Sequence, residues 1–115
     1  MRKWACFTAP VAYDGRTLRK IMLFRTPNGE TRVFLYTETD AQICAADESY
    51  PTLEDALSVW EGTPHAAWVT IDDPLPGCQE DAFVPLRVKG RDVGKPEWGR
   101  KEILRDGKWV DYNIK

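Results

Sequence analysis

Two unbroken apolar runs, Ile21-Met22-Leu23-Phe24 and Val33-Phe34-Leu35-Tyr36, constrain the fold of this chain more than any other feature. They sit within Leu18–Phe24 and Arg32–Tyr36, segments rich in the branched and aromatic residues that suit a pleated surface. Successive side chains on a strand point to opposite faces, so a continuous apolar run needs cover on both faces. Both segments are therefore expected as inner strands. Between them stands Thr26-Pro27-Asn28-Gly29-Glu30. Proline presets the first turn position, Asn tolerates the next, and glycine takes positive φ without steric cost. A short hairpin loop follows, of the type I turn with a glycine bulge.

Around this hairpin the remaining elements read as follows. Lys3–Ala9 is expected as a first strand, with Asp14-Gly15 turning into the hairpin. Gln42–Ala46 reads as a short fourth strand. Leu53–Glu61 reads as the one helix: Leu53, Ala56, Leu57 and Trp60 fall at i, i+3, i+4 and i+7, a single apolar face. Thr52 caps it with Asp55 three positions on, and Gly62 and Pro64 end it. A helix this short needs a sheet to pack against. Ala66–Ile71 reads as a strand. Asp72–Asp81, with two prolines and no periodicity, reads as a loop. Phe83–Lys89 alternates apolar with basic, and Pro85 pushes it to an edge. The chain then closes with a hairpin, Glu102–Arg105 and Lys108–Tyr112 about Asp106-Gly107. Strands mostly follow strands. The expected fold is a single α+β domain, an antiparallel sheet of about five to seven strands with one short helix on it.

At 115 residues, 43% hydrophobic and 30% charged, the composition is that of a globular protein and excludes a disordered chain. No apolar run approaches the ~20 residues that span a bilayer. Trp4–Val11 is too short and too interrupted for a signal-peptide core. Three distant cysteines, Cys6, Cys44 and Cys78, spell neither a disulfide framework nor a paired metal motif. Reduced thiols in a cytoplasmic protein are the expectation.

Net charge is −2, unevenly spread. Residues 1–26 hold six Lys/Arg against one acid, residues 27–84 one against twelve, and residues 85–115 nine against five. The basic ends either form a patch for an anionic partner or face the acidic middle; the second is the commoner arrangement.

Three readings of function compete. The first is a small protein-binding module without chemistry of its own, acting through loops 72–82 and 89–100. Its candidate residues are Trp98, Arg87, Lys89, Arg91, Lys95, Arg100, Cys78, Asp72 and Asp73. Trp98, set among cations in a loop, is the tryptophan expected to be exposed, as suits an interface hot spot. Trp60 is expected in the core, and Trp4, Trp68 and Trp109 as strand residues. The second reading is nucleic-acid binding through the basic stretch 87–101, where cations meet phosphates and an exposed Trp stacks a base. A sequence pI of about 5.4 weighs against it. The glycines at 90, 94 and 99 do not make a phosphate loop, because no strand–loop–helix context surrounds them.

The third reading is a thiol enzyme pairing Cys78 with His65, the lone histidine, with Asp72 or Asp73 as orienter. The neighbours of Cys78, Glu80 and Asp81, disfavour its thiolate, and an ordinary loop cysteine is the plainer reading. Asp72-Asp73 and Glu80-Asp81 lack the alternating spacing of a hard-cation loop, so no metal and no cofactor are expected. The expected partner is another protein, with nucleic acid second and no membrane. The chain is expected as a monomer or as a homodimer formed by edge-strand addition.

Overall fold

A computed structural model describes residues 1–112 and shows an α+β chain of antiparallel sheets and one α-helix. It divides into two compact units, Met1–Asp73 and Pro74–Lys115.

The first unit holds β1 (Arg2–Tyr13), β2 (Arg16–Arg25), β3 (Thr31–Tyr36), β4 (Ala46–Tyr50), α1 (Leu53–Trp60) and β5 (Val69–Ile71). Its sheet has the order β4-β3-β2-β1-β5, antiparallel throughout. The two apolar runs are inner strands, as their continuity demanded, and every residue of Ile21–Phe24 and Val33–Tyr36 is buried. Ile21, Leu23, Val33 and Leu35 form one core with Ala5, Leu18 and the helix residues Ala56 and Trp60. Met22, Phe24, Phe34 and Tyr36 alternate with them and are buried on the other face. In the connecting turn the Gly29 amide donates to Thr26 O at 3.0 Å, with Gly29 at φ 92°. The Thr26 amide donates to Glu30 O at 2.8 Å, closing the loop.

The helix forms where its apolar spacing placed it. Thr52 Oγ1 accepts from the Asp55 amide at 3.1 Å, and Glu54 and Asp55 occupy the positive end of the helix dipole. Ala56 and Trp60 are buried, and Leu53 and Leu57 pack beside them. One carboxylate ties this helix to the sheet. Glu48 of β4 accepts from Tyr13 Oη at 2.9 Å, Tyr50 Oη at 2.5 Å and Trp60 Nε1 at 3.1 Å. Burial and the bond to Glu48 push Tyr50 up to about 12, and the Glu48 bond raises Tyr13 as well.

Several strands differ from expectation. β1 continues past Ala9 to Tyr13, crossing Pro10 where its register on β2 shifts between Cys6 and Val11. In that interval its other edge takes over: the Ala66 amide donates to Cys6 O at 2.9 Å and the Thr8 amide to Pro64 O at 3.1 Å. A residue without an N–H is tolerated there because no ladder bond is required of it. The fourth strand is Ala46–Tyr50 and not 42–46. It is an edge strand whose residues alternate between half-buried and exposed, with Asp47 and Ser49 at the exposed positions. β5 shrinks to Val69–Ile71.

The second unit holds β6 (Leu86–Val88), β7 (Lys101–Arg105) and β8 (Lys108–Tyr112) in the order β6-β7-β8. Asp106 (φ 50°) and Gly107 (φ 77°) make the two-residue turn with both residues left-handed, as Asp-Gly favours. Ala82, Leu86 and Ile103 form a small core with Val84 and Tyr112. The expected strand 83–89 narrows to three residues, on the edge that Pro85 indicated. One sheet of five to seven strands thus becomes eight strands in two sheets, because β6, β7 and β8 pair only with one another among the described residues. Among the described residues no helix is long and apolar enough to cross a membrane.

Candidate functional site

The segment joining β6 to β7 is built by its own backbone. The Lys89 amide donates to Arg100 O at 3.0 Å and the Glu97 amide to Lys89 O at 2.8 Å, cross-linking its two ends. The Lys95 amide donates to Gly90 O at 2.9 Å, and Arg91–Val93 forms a short 3₁₀ turn between Gly90 (φ 80°) and Gly94 (φ 72°). A Cβ on residue 90 would overlap the Lys95 carbonyl oxygen, so only glycine fits. The two ends and the middle of this glycine-rich stretch are thus tied together by its own backbone hydrogen bonds. It displays Trp98 at 77% and Val93 at 68% exposure.

The candidate cations divide into two groups. Arg87 lies over the Trp109 ring, 3.9 Å from its centroid, and its guanidinium meets Glu102 at 3.2 Å and Asp92 at 3.5 Å. Lys89 pairs with Asp111 at 3.1 Å and Arg100 with Glu97 at 3.2 Å. Arg91 and Lys95 are exposed and have no ion pair among the described residues. Arg87, Lys89 and Arg100 thus answer acids of their own unit. The N-terminal cations reach backbone carbonyls of that middle: Arg2 Nε donates to Asp72 O at 2.7 Å, Arg16 to Ala45 O at 2.5 Å, and Lys20 Nζ to Thr39 O and Ala41 O at 2.8 and 2.9 Å. Lys20 is 3% exposed, and burial lowers its pKa to about 8.

The remaining candidates have local roles. The Asp73 carboxylate pairs with the Met1 ammonium at 2.7 Å, and Asp72 contributes its carbonyl to Arg2. Cys78 is buried, its amide donating to Leu75 O at 2.9 Å. Cys6 is half-buried in β1, while Cys44 lies outside any strand. His65 belongs to the other unit from Cys78. Its Nδ1 lies 2.6 Å from Ala66 O, and its ring sits 4.6 Å from that of Trp68.

A feature absent from the sequence reading is a cleft of about 520 Å³ in the first unit, lined by Lys3, Glu54, Leu57, Ser58, Glu61, His65 and Trp68. Glu54 in α1 and Glu61 at its C-cap stand at i and i+7, a spacing that puts them on one side; only the fold adds Trp68 and His65. No family model matches this chain, and no curated protein or solved structure matches it either.

Proposed function

We propose that this chain is a small protein-binding module whose main contact is the 89–100 loop. The observation that carries this reading is Trp98, 77% exposed on a loop fixed by backbone hydrogen bonds. An exposed indole on a preorganised support loses little freedom when covered, and Trp is among the residues that dominate interfaces. Val93 extends the apolar surface, and Arg91 and Lys95 give it positive charge. The fitting partner surface is an apolar pocket edged with acids. The 72–82 segment, with Leu75 exposed, is proposed as a second contact. Three cysteines without a disulfide fit a reducing, cytoplasmic location.

The nucleic-acid reading is weaker, because Arg87, Lys89 and Arg100 are each engaged by a carboxylate. The Cys78–His65 reading gains no support from a buried thiol and an imidazole that serves its own strand connection.

The test is affinity capture from host lysate with the native chain and with Trp98→Ala. A stoichiometric protein should survive nuclease and high salt and be lost with the variant, whose melting temperature stays close to native, as is usual for exposed positions (within about 0.5 kcal/mol). Capture that vanishes with nuclease and falls steeply with salt would move the assignment to nucleic acid. Unchanged capture by Trp98→Ala would remove the loop from the interface.

A further inference from the structure

The second unit shows how this molecule seats a guanidinium. Arg87 stacks on an indole (Trp109, 3.9 Å), while two carboxylates, Glu102 and Asp92, take its N–H groups. A planar cation on an aromatic face, with its edge donors directed to carboxylates, is the geometry that favours arginine over lysine.

The cleft in the first unit holds the same parts without the arginine. Trp68 and Leu57 supply an indole and an apolar wall, and two carboxylates come from Glu54 in the first turn of α1 and Glu61 at its C-cap, about two turns apart. Neither acid has an ion pair among the described residues, and α1 has no basic residue in its last turn to neutralise them. The molecule's own cation here is Lys3, whose Nζ stands 5.0 Å from the Trp68 ring centroid. Among the Lys, Arg, Asp and Glu side chains that line the cleft, two are acids and one is a lysine. Its volume, about 520 Å³, lies within the range of ligand-sized pockets. No arginine of this chain lines it.

From the match of parts and of charge, we infer that the Trp68 cleft is a seat for an arginine side chain presented by a partner protein. The inference is independent of the 89–100 loop: it uses a different unit and opposite charge.

The experiment is an NMR titration of the full chain with a capped arginine (N-acetyl-arginine methylamide) at constant ionic strength, followed at the Trp68 indole N–H and the His65 ring. Saturable shifts are expected with a Kd of about 1–10 mM, the range for a single side chain in an open cleft. Capped lysine should bind at least about threefold more weakly, and capped citrulline, isosteric but uncharged, should not saturate. The double variant Glu54→Gln, Glu61→Gln should weaken arginine binding by about tenfold. Both positions are exposed, so the variant keeps the fold and tests the site. The inference is overturned by no saturable shift, by citrulline binding as well as arginine, or by an unchanged double variant. Free guanidinium binding as tightly as capped arginine would equally overturn a seat made for a protein side chain.

Discussion

Trp109 and Trp68 share one chemistry and differ in what completes it. Trp109 carries Arg87 at 3.9 Å, with Glu102 and Asp92 closing around the guanidinium. Trp68 has the Lys3 ammonium at 5.0 Å and the His65 ring at 4.6 Å, in a cleft whose acids are exposed to solvent. In the first case the cation is part of the structure: the side chains of Arg87 and Glu102 retain 17% and 15% exposure. In the second the arrangement is half-built and faces outward. The same residue types can thus stabilise a fold in one place and leave a site in another. What decides is whether the chain fills the last position itself.

The largest expected effect breaks the filled seat. Arg87→Ala removes the stacking cation and leaves Glu102 half-buried without its partner, a loss of about 2 kcal/mol read from urea unfolding. Glu61→Ala, in the open cleft, should change stability by less than about 0.5 kcal/mol in the same assay. Equal losses would erase the distinction between the two sites.

A second test uses Lys20, which also lies over aromatic rings, Tyr36 at 4.7 Å and Trp4 at 6.0 Å, but donates to carbonyls. Its pKa of about 8 when folded lies below the ordinary 10.5, so between those values the unfolded chain binds more protons and stability rises with pH. Tyr50, raised from 10.0 to about 12, acts oppositely above pH 10, where the folded chain holds the proton longer. The urea midpoint should therefore climb from about pH 8 to 10 and then fall, and Lys20→Met should lose the climb. A climb of equal size in that variant would place the titration elsewhere.

The smallest effect sharpens the open seat. Lys3→Met takes away the resident positive charge and should strengthen capped-arginine binding by about two- to threefold, with little change in stability. Weaker binding would mean that Lys3 shapes the cleft and does not compete for it.

What was legible in the sequence follows from how local each feature is. The central hairpin, the helix and the Asp106-Gly107 turn are decided by neighbouring residues: apolar runs, a capping threonine, an Asp-Gly pair. The edge strands are decided by what they pair with. Ala46–Tyr50 carries Asp47, Glu48 and Ser49, poor strand formers that the ladder to β3 overrides. Trp98 was readable as exposed from its polar, glycine-flanked setting. The engagement of Arg87, Lys89 and Arg100 was not, because their acids lie on β7, on β8 or within the loop itself. The Trp68 cleft unites residues from β1, α1 and the segment before β5, so no local pattern announces it.

The 89–100 loop is cross-linked by its own main-chain hydrogen bonds and requires the glycine at position 90, while the side chains of Arg91, Val93, Lys95 and Trp98 are exposed. Form and vocabulary are therefore separately encoded. A protein engineer can thus vary four exposed side chains without rebuilding the frame that carries them.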